Sequence, residues 1–171
     1  MPTLDSRGSR RIMAAIPSLA ARGAPMPDYD KPLPELNQFT KSYWEAAKRH
    51  QLAIAKCSAC GRLNHPPKPV CRFCQSDKLA PQVVSGKGTI YSYTVTHYPY
   101  HPGFVKNGPY PVVLVELEED PRVRIVSNLV DYKPEQLKVG EPVEVVFDDV
   151  TPEVTLPKFR PRAAAAARGE R

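Results

Sequence analysis

The spacing of hydrophobic positions predicts one helix at the start of the ordered part of the chain. Over residues 34–51, Leu36, Phe39, Tyr43 and Ala47 recur at three- and four-residue intervals, with polar and charged residues between them. This is the period of an amphipathic helix, which needs another surface to cover its apolar side. The helix is therefore expected to pack on the rest of the chain or on another subunit.

Beyond the helix the period changes to two, which predicts strands. A short strand is expected at 52–56, and longer ones follow a segment that contains four cysteines. These longer strands are predicted over 86–96, 111–118, 122–129 and 142–149. A loop rich in proline and aromatic residues, 97–109, separates the first two of them. Four or five strands with one long loop fit a small antiparallel barrel better than a sandwich.

The four cysteines form two Cys-x-x-Cys pairs. Cys57 and Cys60 make the first pair, Cys71 and Cys74 make the second, and ten residues separate the pairs. Each pair turns two sulfurs toward one point, and two such knuckles complete a tetrahedral thiolate site with Zn–S distances near 2.3 Å. Gly61 suits the tight turn after Cys60, because glycine accepts a positive φ without steric cost.

The alternatives to a zinc site are disulfides and iron. Disulfides would require export, and the chain shows no convincing signal segment. A rubredoxin-type iron site uses the same ligand geometry, so the spacing favours zinc without excluding iron. With four thiolates there is no open coordination position, which predicts a structural metal. His65, between the knuckles, is not needed as a ligand.

Charge and composition narrow the choice of partner. The formal net charge is +6, but residues 1–25 carry four arginines and one acid, and residues 158–171 carry five basic residues and one acid. Residues 26–157 then hold 15 basic and 16 acidic side chains. A nucleic-acid-binding domain is expected to be basic on its folded body, so a nucleic-acid partner is disfavoured. No apolar run approaches the roughly 20 residues that cross a bilayer, and a cytoplasmic protein is expected.

The residues predict no catalytic constellation. His97 and His101 flank the proline-rich loop, but no nucleophile or carboxylate is placed beside them by sequence. No Ser-His-Asp set, phosphate-binding glycine loop or carboxylate pair can be identified. Taken from its residues alone, the chain is predicted to be a binding module, and the loop at 97–109 is its best candidate for a rigid contact surface.

An ordered set of segments resembles a known family. The segments are Tyr43-Trp44-Glu45-Ala46-Ala47, the two cysteine knuckles, Pro66-Pro67, Gly86-Lys87-Gly88-Thr89-Ile90-Tyr91-Ser92-Tyr93-Thr94, Pro109-Tyr110-Pro111, Val139-Gly140-Glu141-Pro142-Val143 and Leu156-Pro157-Lys158-Phe159-Arg160-Pro161. In this order, over roughly 34–161, they are similar to acyl-CoA-associated proteins that join a rubredoxin-like zinc ribbon to an OB-fold. The resemblance implies a mainly β protein with an N-terminal helix, the ribbon and a five-stranded OB-fold barrel.

The chain is expected to divide into five segments. These are a flexible extension (1–33), an amphipathic helix (34–51), the zinc ribbon (52–82), the OB-fold (83–157) and a flexible basic tail (158–171).

The resemblance also implies a function. Members of this family are companion subunits of thiolase-superfamily enzymes, including steroid side-chain retro-aldolases, thiolases and acyltransferases, and help to hold a CoA thioester. The chain is accordingly expected to form a hetero-oligomer with a thiolase-like subunit and to lack activity of its own. The alternatives are a single-stranded nucleic-acid binder, because OB-folds and zinc ribbons recur in that class, and a standalone small-molecule enzyme.

Contact residues are assigned here by loop position and residue type. The helix side chains Phe39, Tyr43 and Trp44 are candidates for partner docking, with packing on the chain's own barrel as the alternative. The candidates for contact with the thioester and its CoA phosphates are Tyr93, His97, Phe104, Tyr110, Lys87 and Lys106.

Overall fold

The computed structural model describes residues 29–98 and 100–162. Residues 1–28 and 163–171, which contain most of the predicted extension and tail, lie outside this part. Within the described residues the elements are α1 (Lys41–Lys48), β1 (Ala53–Cys57), β2 (Leu63–Asn64), β3 (Leu79–Val83), β4 (Lys87–Thr96), β5 (Tyr110–Leu117), β6 (Arg124–Asn128), β7 (Pro142–Asp149) and β8 (Thr155–Pro161). Short 3-10 turns occupy Pro102–Asn107 and Pro134–Gln136. No helix in this part of the chain is long and apolar enough to cross a membrane.

Helix α1 is shorter than the 34–51 that its hydrophobic period predicts. At its N-terminal end, the Asn37 side chain accepts hydrogen bonds from the N–H groups of Phe39 and Thr40, at 3.0 and 3.1 Å. Asparagine competes with the helix in this way by offering the backbone a local turn. At its C-terminal end, His50 has a φ of 55°, which stops the helix in the left-handed region.

The cysteine segment forms a three-stranded sheet in the order β2-β1-β3. All neighbours are antiparallel, and β1 pairs along its whole length with β3, from Ala53 opposite Val83 to Cys57 opposite Leu79. The hydrophobic pattern predicts β1 but neither of its partners. Strand β3 is not predicted because it contains a proline and its apolar and polar residues do not alternate clearly.

The rest of the chain forms a five-stranded sheet in the order β6-β5-β4-β7-β8, with antiparallel neighbours. The two outer strands meet through a parallel bridge between Leu129 and Phe159, and the Val130 N–H donates to the Phe159 carbonyl at 2.8 Å. This contact nearly closes the sheet into a barrel with OB-fold topology. The predicted fold class is therefore confirmed.

The prediction of a flexible tail from residue 158 is wrong for residues 158–161, because these residues belong to strand β8 of the barrel. Thr155, Pro157 and Phe159 point inward, and Phe159 is completely buried. The two prolines in this segment argue against a central strand, but β8 is an outer strand, where proline is tolerated. Phe159 is a central core residue that the sequence pattern leaves unassigned.

One continuous core joins the helix, the ribbon and the barrel. Tyr43 of α1 and Leu52 and Ile54 around β1 belong to the same buried cluster as the barrel residues Val115 and Phe159. The Val84 N–H also donates to the Leu52 carbonyl at 2.9 Å, which ties the end of the ribbon to its start. The knuckles are thus carried on a rigid base.

Candidate metal centre and ligand cleft

The two cysteine knuckles have the same backbone geometry. In the first, the Gly61 N–H donates to the Cys57 carbonyl at 2.8 Å, and in the second the Gln75 N–H donates to the Cys71 carbonyl at 2.9 Å. Gly61 and Gln75 both have left-handed backbones, with φ of 72° and 59°. The positive φ that the sequence predicts for Gly61 is present, and Gln75 takes the equivalent position without being glycine.

The knuckles bring the four sulfurs into one cluster. All four lie within 4.8 Å of one another, and the Cys57–Cys74 and Cys60–Cys71 Sγ pairs are each 3.6 Å apart. A tetrahedron with metal–sulfur bonds of 2.3 Å has edges of about 3.8 Å, so the cluster fits a single four-coordinate ion. His65 does not belong to it. The predicted ligand set Cys57, Cys60, Cys71 and Cys74 is therefore brought together in space.

The surroundings of Cys71 and Cys74 shift the pKa values of the two thiols in opposite directions. Burial raises the pKa of the Cys71 thiol, but the backbone N–H groups of Cys74 and Phe73 more than offset this and lower that pKa to about 6. The Ser76 N–H lowers the pKa of Cys74, whereas burial and the neighbouring sulfurs raise it to about 12. Thiolates this close repel one another, so a cation is needed to hold all four deprotonated.

A separate cleft opens at the end of the barrel where β4 meets β5. It has a volume of about 320 Å³ and is lined by Lys31, Phe104, Tyr110, Tyr132 and Lys158, among others. The rings of Phe104 and Tyr110 stack, with centroids 5.1 Å apart and planes 24° from parallel. The Lys31 Nζ lies 5.3 Å from the Phe104 centroid, and Lys158 forms an ion pair with Asp148. The cleft offers aromatic walls and two cations.

The predicted thioester contacts do not all lie in this cleft. Phe104 and Tyr110 line it, and Lys106 lies on the same 3-10 turn as Phe104 with its Nζ 3.9 Å from an Asp30 carboxylate oxygen. Lys87 begins β4, whereas the cleft is at the end of that strand. Lys87 does not line the cleft, although its strand partner Glu144 lies opposite Arg160, two residues from Lys158.

The remaining two contacts are exposed elsewhere on the barrel. Tyr93 lines a shallow apolar groove on the outer face of β4, β5 and β6 together with Val112 and Val126. His97 is exposed in the loop that follows β4. His101, by contrast, accepts a hydrogen bond at Nδ1 from the Gly103 N–H at 3.1 Å, which is a capping role in the 3-10 turn.

The cleft contains residues that sequence reasoning missed. Lys31, Tyr132 and Lys158 come from three distant segments, and only the closure of the barrel brings them to Phe104. Only Lys158 could have been found from the sequence, because it lies in Leu156–Pro161, one of the segments that resemble the family.

The three predicted docking residues have different surroundings in the structure. Tyr43 is only 9% exposed and lies in the chain's own core, and Trp44 packs half-buried against that core at 5.0 Å from Tyr43, ring centroid to centroid. Tyr43 and Trp44 therefore pack on their own chain, which is the alternative given above for this helix. Phe39 is 42% exposed and remains available to a partner.

A thiolate cluster on a three-stranded ribbon, joined to a five-stranded barrel, defines the class of a metal ribbon with an OB-fold. The comparison with known families agrees element by element. Residues 44–80 match the family model described as ChsH2, rubredoxin-like zinc ribbon domain, and residues 81–148 match ChsH2, C-terminal OB-fold domain.

Individual relatives identify the family. A DUF35 domain-containing scaffold protein of Methanothermobacter thermautotrophicus is 35% identical over 119 residues, which are 69% of this chain and 87% of that protein. A solved structure entitled Ltp2-ChsH2(DUF35) aldolase contains a chain that is 43% identical, with a TM-score of 0.67 over 75% of this chain and 98% of that one. The chain belongs to the DUF35 family.

One relative is longer than this chain, which aligns with only part of it. A protein of Thermomonospora curvata named probable enoyl-CoA hydratase alpha subunit is 39% identical over 151 residues, 88% of this chain. The chain spans about half the length of that relative, 46%.

Proposed function

We propose that the chain is a non-catalytic companion subunit of a thiolase-superfamily enzyme that acts on acyl-CoA thioesters, and that it helps to hold the CoA thioester. The observation that carries this proposal is the 43% identity to nearly the whole of a DUF35 chain in an aldolase structure. The scaffold proteins among the relatives support a role in assembly. Among the partner reactions known in the family, the similarity to a chain of an aldolase structure supports retro-aldol cleavage of a steroid side-chain thioester.

The ion in the cysteine cluster is proposed to be structural zinc. Cys57 and Cys71 are buried while Cys60 and Cys74 are exposed at one edge, and four thiolates leave no open position for a substrate. Purified protein is expected to carry one zinc per chain by elemental mass spectrometry. Iron at that stoichiometry, or no metal in protein purified without chelators, would contradict the assignment.

The cleft between Phe104 and Lys158 is proposed as the contact site for the CoA portion of the thioester. Its stacked aromatic pair suits a flat ring or an acyl chain, and Lys31 and Lys158 suit phosphates. The asymmetry between these lysines matters, because Asp148 neutralises Lys158 whereas Lys31 faces an aromatic ring. Lys31 is the better anion contact of the two.

Docking is proposed to use the exposed apolar side chains that precede α1. Leu33, Leu36 and Phe39 are 48%, 52% and 42% exposed, and they lie on one short segment. Large apolar side chains of this kind provide the anchors that dominate interface energies.

Co-purification tests the proposed partnership. The full chain, tagged at one end, is co-expressed with an untagged thiolase-like protein from the same source, and the pair is passed over an affinity column and a sizing column. We expect the two proteins to elute together in a fixed ratio. Separate elution of two soluble proteins would contradict the proposal.

A pair of variants tests the cleft within that complex. Phe104→Ala removes one ring of the stacked pair and is expected to raise the KM for the acyl-CoA about tenfold, since it removes a contact worth roughly 1–2 kcal/mol. Tyr100→Ala is the matched control, because that ring is 85% exposed outside the cleft. Equal KM values for the two variants would remove the cleft from the account.

A further inference from the structure

Three arginine side chains surround a single phenylalanine at the metal ribbon. The guanidinium carbons of Arg62, Arg72 and Arg122 lie 4.6, 4.7 and 5.6 Å from the ring centroid of Phe73. Each distance is within the range of a cation–π contact, and planar guanidinium groups stack well on aromatic faces. We refer to Phe73 and these three arginines as the arginine platform.

The platform is built from three separate segments of the chain. Arg62 follows the first knuckle, Arg72 and Phe73 lie inside the second, and Arg122 comes from the turn between β5 and β6 of the barrel. The Arg72 Nη2 donates to the Arg122 carbonyl at 2.8 Å, so the ribbon and the barrel are joined through the platform itself.

The positive charges of the platform exceed the negative charges that face them. Asp120 receives both the Nε and the Nη2 of Arg122, at 2.8 and 2.9 Å, which occupies both of its oxygens. In the described part of the chain, no carboxylate lies within 4.0 Å of Arg62 or Arg72. Residues 26–157 are slightly acidic in total, so this excess is a local feature.

An open cleft of about 610 Å³ lies next to the platform, where the ribbon faces the barrel. Lys56, Arg62 and Arg122 line it, together with Glu119 and Asp120. One oxygen of the Glu119 carboxylate accepts a hydrogen bond from the Ser85 N–H at 2.5 Å. Lys56 adds a further cation without a carboxylate within 4.0 Å in the described residues. The three cations of the cleft outnumber its two carboxylates, and a bound anion would reduce the repulsion between the cations.

We propose that the arginine platform and its cleft bind a carboxylate-rich segment on the surface of the companion enzyme. This inference rests on the proposed function and names the surface through which that function is exercised. A guanidinium group can donate two parallel hydrogen bonds to one carboxylate. The guanidinium groups of Arg62 and Arg72 form no ion pair with a carboxylate of the described residues, so both can bind a carboxylate of a partner.

The arrangement favours a protein segment over a nucleic acid or a nucleotide. A base would need a free aromatic face, and guanidinium groups already surround Phe73. A run of phosphates would bring its continuous charge against Glu119 and Asp120, whereas a protein segment can place separated carboxylates at the arginines and neutral or basic groups opposite these two acids. Single carboxylates presented one at a time fit both conditions.

The first test measures the affinity of the co-purified complex. Arg62→Gln and Arg62→Gln/Arg72→Gln are compared with Arg160→Gln, which removes a charge that is paired with Glu144 on the far strands of the barrel. At 50 mM NaCl we expect the double variant to bind about tenfold more weakly and Arg160→Gln to bind as the parent does. The salt dependence of the affinity should flatten only in the platform variants.

The single variant protects this test from a folding defect. The Arg62 guanidinium has no hydrogen bond within the described residues, so Arg62→Gln is expected to fold even where loss of the Arg72 bond to the barrel is harmful. A complex whose affinity and salt dependence are unchanged in Arg62→Gln would overturn the inference while leaving the companion function intact.

A second test applies when no complex is found, which would count against the proposed function. The isolated full chain, loaded with zinc, is titrated with an eight-residue peptide of alternating glutamate and serine and with an eight-residue thymidine oligonucleotide while amide signals are followed by NMR. We expect the peptide to shift the signals of Arg62, Phe73 and Arg122, and to do so less in Arg62→Gln. Absence of these shifts, or stronger binding of the oligonucleotide at the same signals, would overturn the inference.

Discussion

At the scale of single residues, His65 is a partly buried histidine. Its Nδ1 has no hydrogen-bond partner in the described part of the chain, and its ring lies 5.6 Å from that of Tyr43, centroid to centroid. Burial, reinforced by the charge of Arg72, lowers the pKa of His65 to about 4. The folded chain therefore keeps this side chain neutral under conditions in which the unfolded chain protonates it.

This difference predicts a pH dependence of stability. Because the folded pKa lies below the unfolded value of about 6.5, stability is full above pH 6.5 and falls as the pH decreases toward 4. The loss should reach about 3 kcal/mol at most, and His65→Leu should remove it. Urea unfolding at a series of pH values, with zinc in excess, measures the difference between the variant and the parent.

His97→Leu is the control for that experiment, because His97 is exposed in a loop. It should leave the pH dependence of the parent unchanged. A parent and a His65→Leu variant with parallel pH profiles would show that burial of His65 carries no such cost.

At the scale of elements, the two knuckles differ at one equivalent position. Gly61 and Gln75 both adopt a positive φ, but only glycine does so without strain. Gly61→Gln is expected to lower the free energy of unfolding by about 1–2 kcal/mol. Gln75→Gly should raise it by no more than about 1 kcal/mol, since relief of strain is partly offset by the greater freedom of glycine in the unfolded chain.

Chemical denaturation of zinc-saturated protein measures both changes. A Cβ at Gly61 would meet open space, so any loss there reports backbone strain and not a clash. Losses of similar size in the two variants would contradict the equivalence of the knuckles.

The elements also show which parts of the fold a sequence pattern can predict. Strand β5 alternates buried and exposed positions along its length, and it was predicted to within one residue at each end. The start of α1 and the whole of β8 were not predicted, because a side-chain turn at Asn37 and tolerated prolines at an outer strand override the hydrophobic period. Both depend on surroundings that a local window does not contain.

The same distinction applies to the sites. The cysteine ligands are close in sequence and have a fixed spacing, so the cluster was predicted completely. The barrel cleft joins Lys31 to Lys158, and the arginine platform joins Arg72 to Arg122. Such pairs become neighbours only when the ribbon and the barrel pack together. Counting net charge along the chain likewise missed the local excess of positive charge at the platform.

At the scale of the whole molecule, the ribbon, the helix and the barrel share one core, and the three candidate surfaces are fixed relative to one another. The metal cluster positions Phe73 and Arg72, while the barrel supplies Arg122 and the ligand cleft. This shared core is consistent with the proposed role as a companion subunit.

The most direct test of this account is the rate of acyl-CoA cleavage as the chain is titrated into a fixed amount of the purified thiolase-like partner. The account predicts no turnover by the chain alone, little by the partner alone, and a rate that rises with added chain until the two are present in stoichiometric amounts. Turnover by the chain alone, or a partner whose rate does not change when the chain is added, would contradict it.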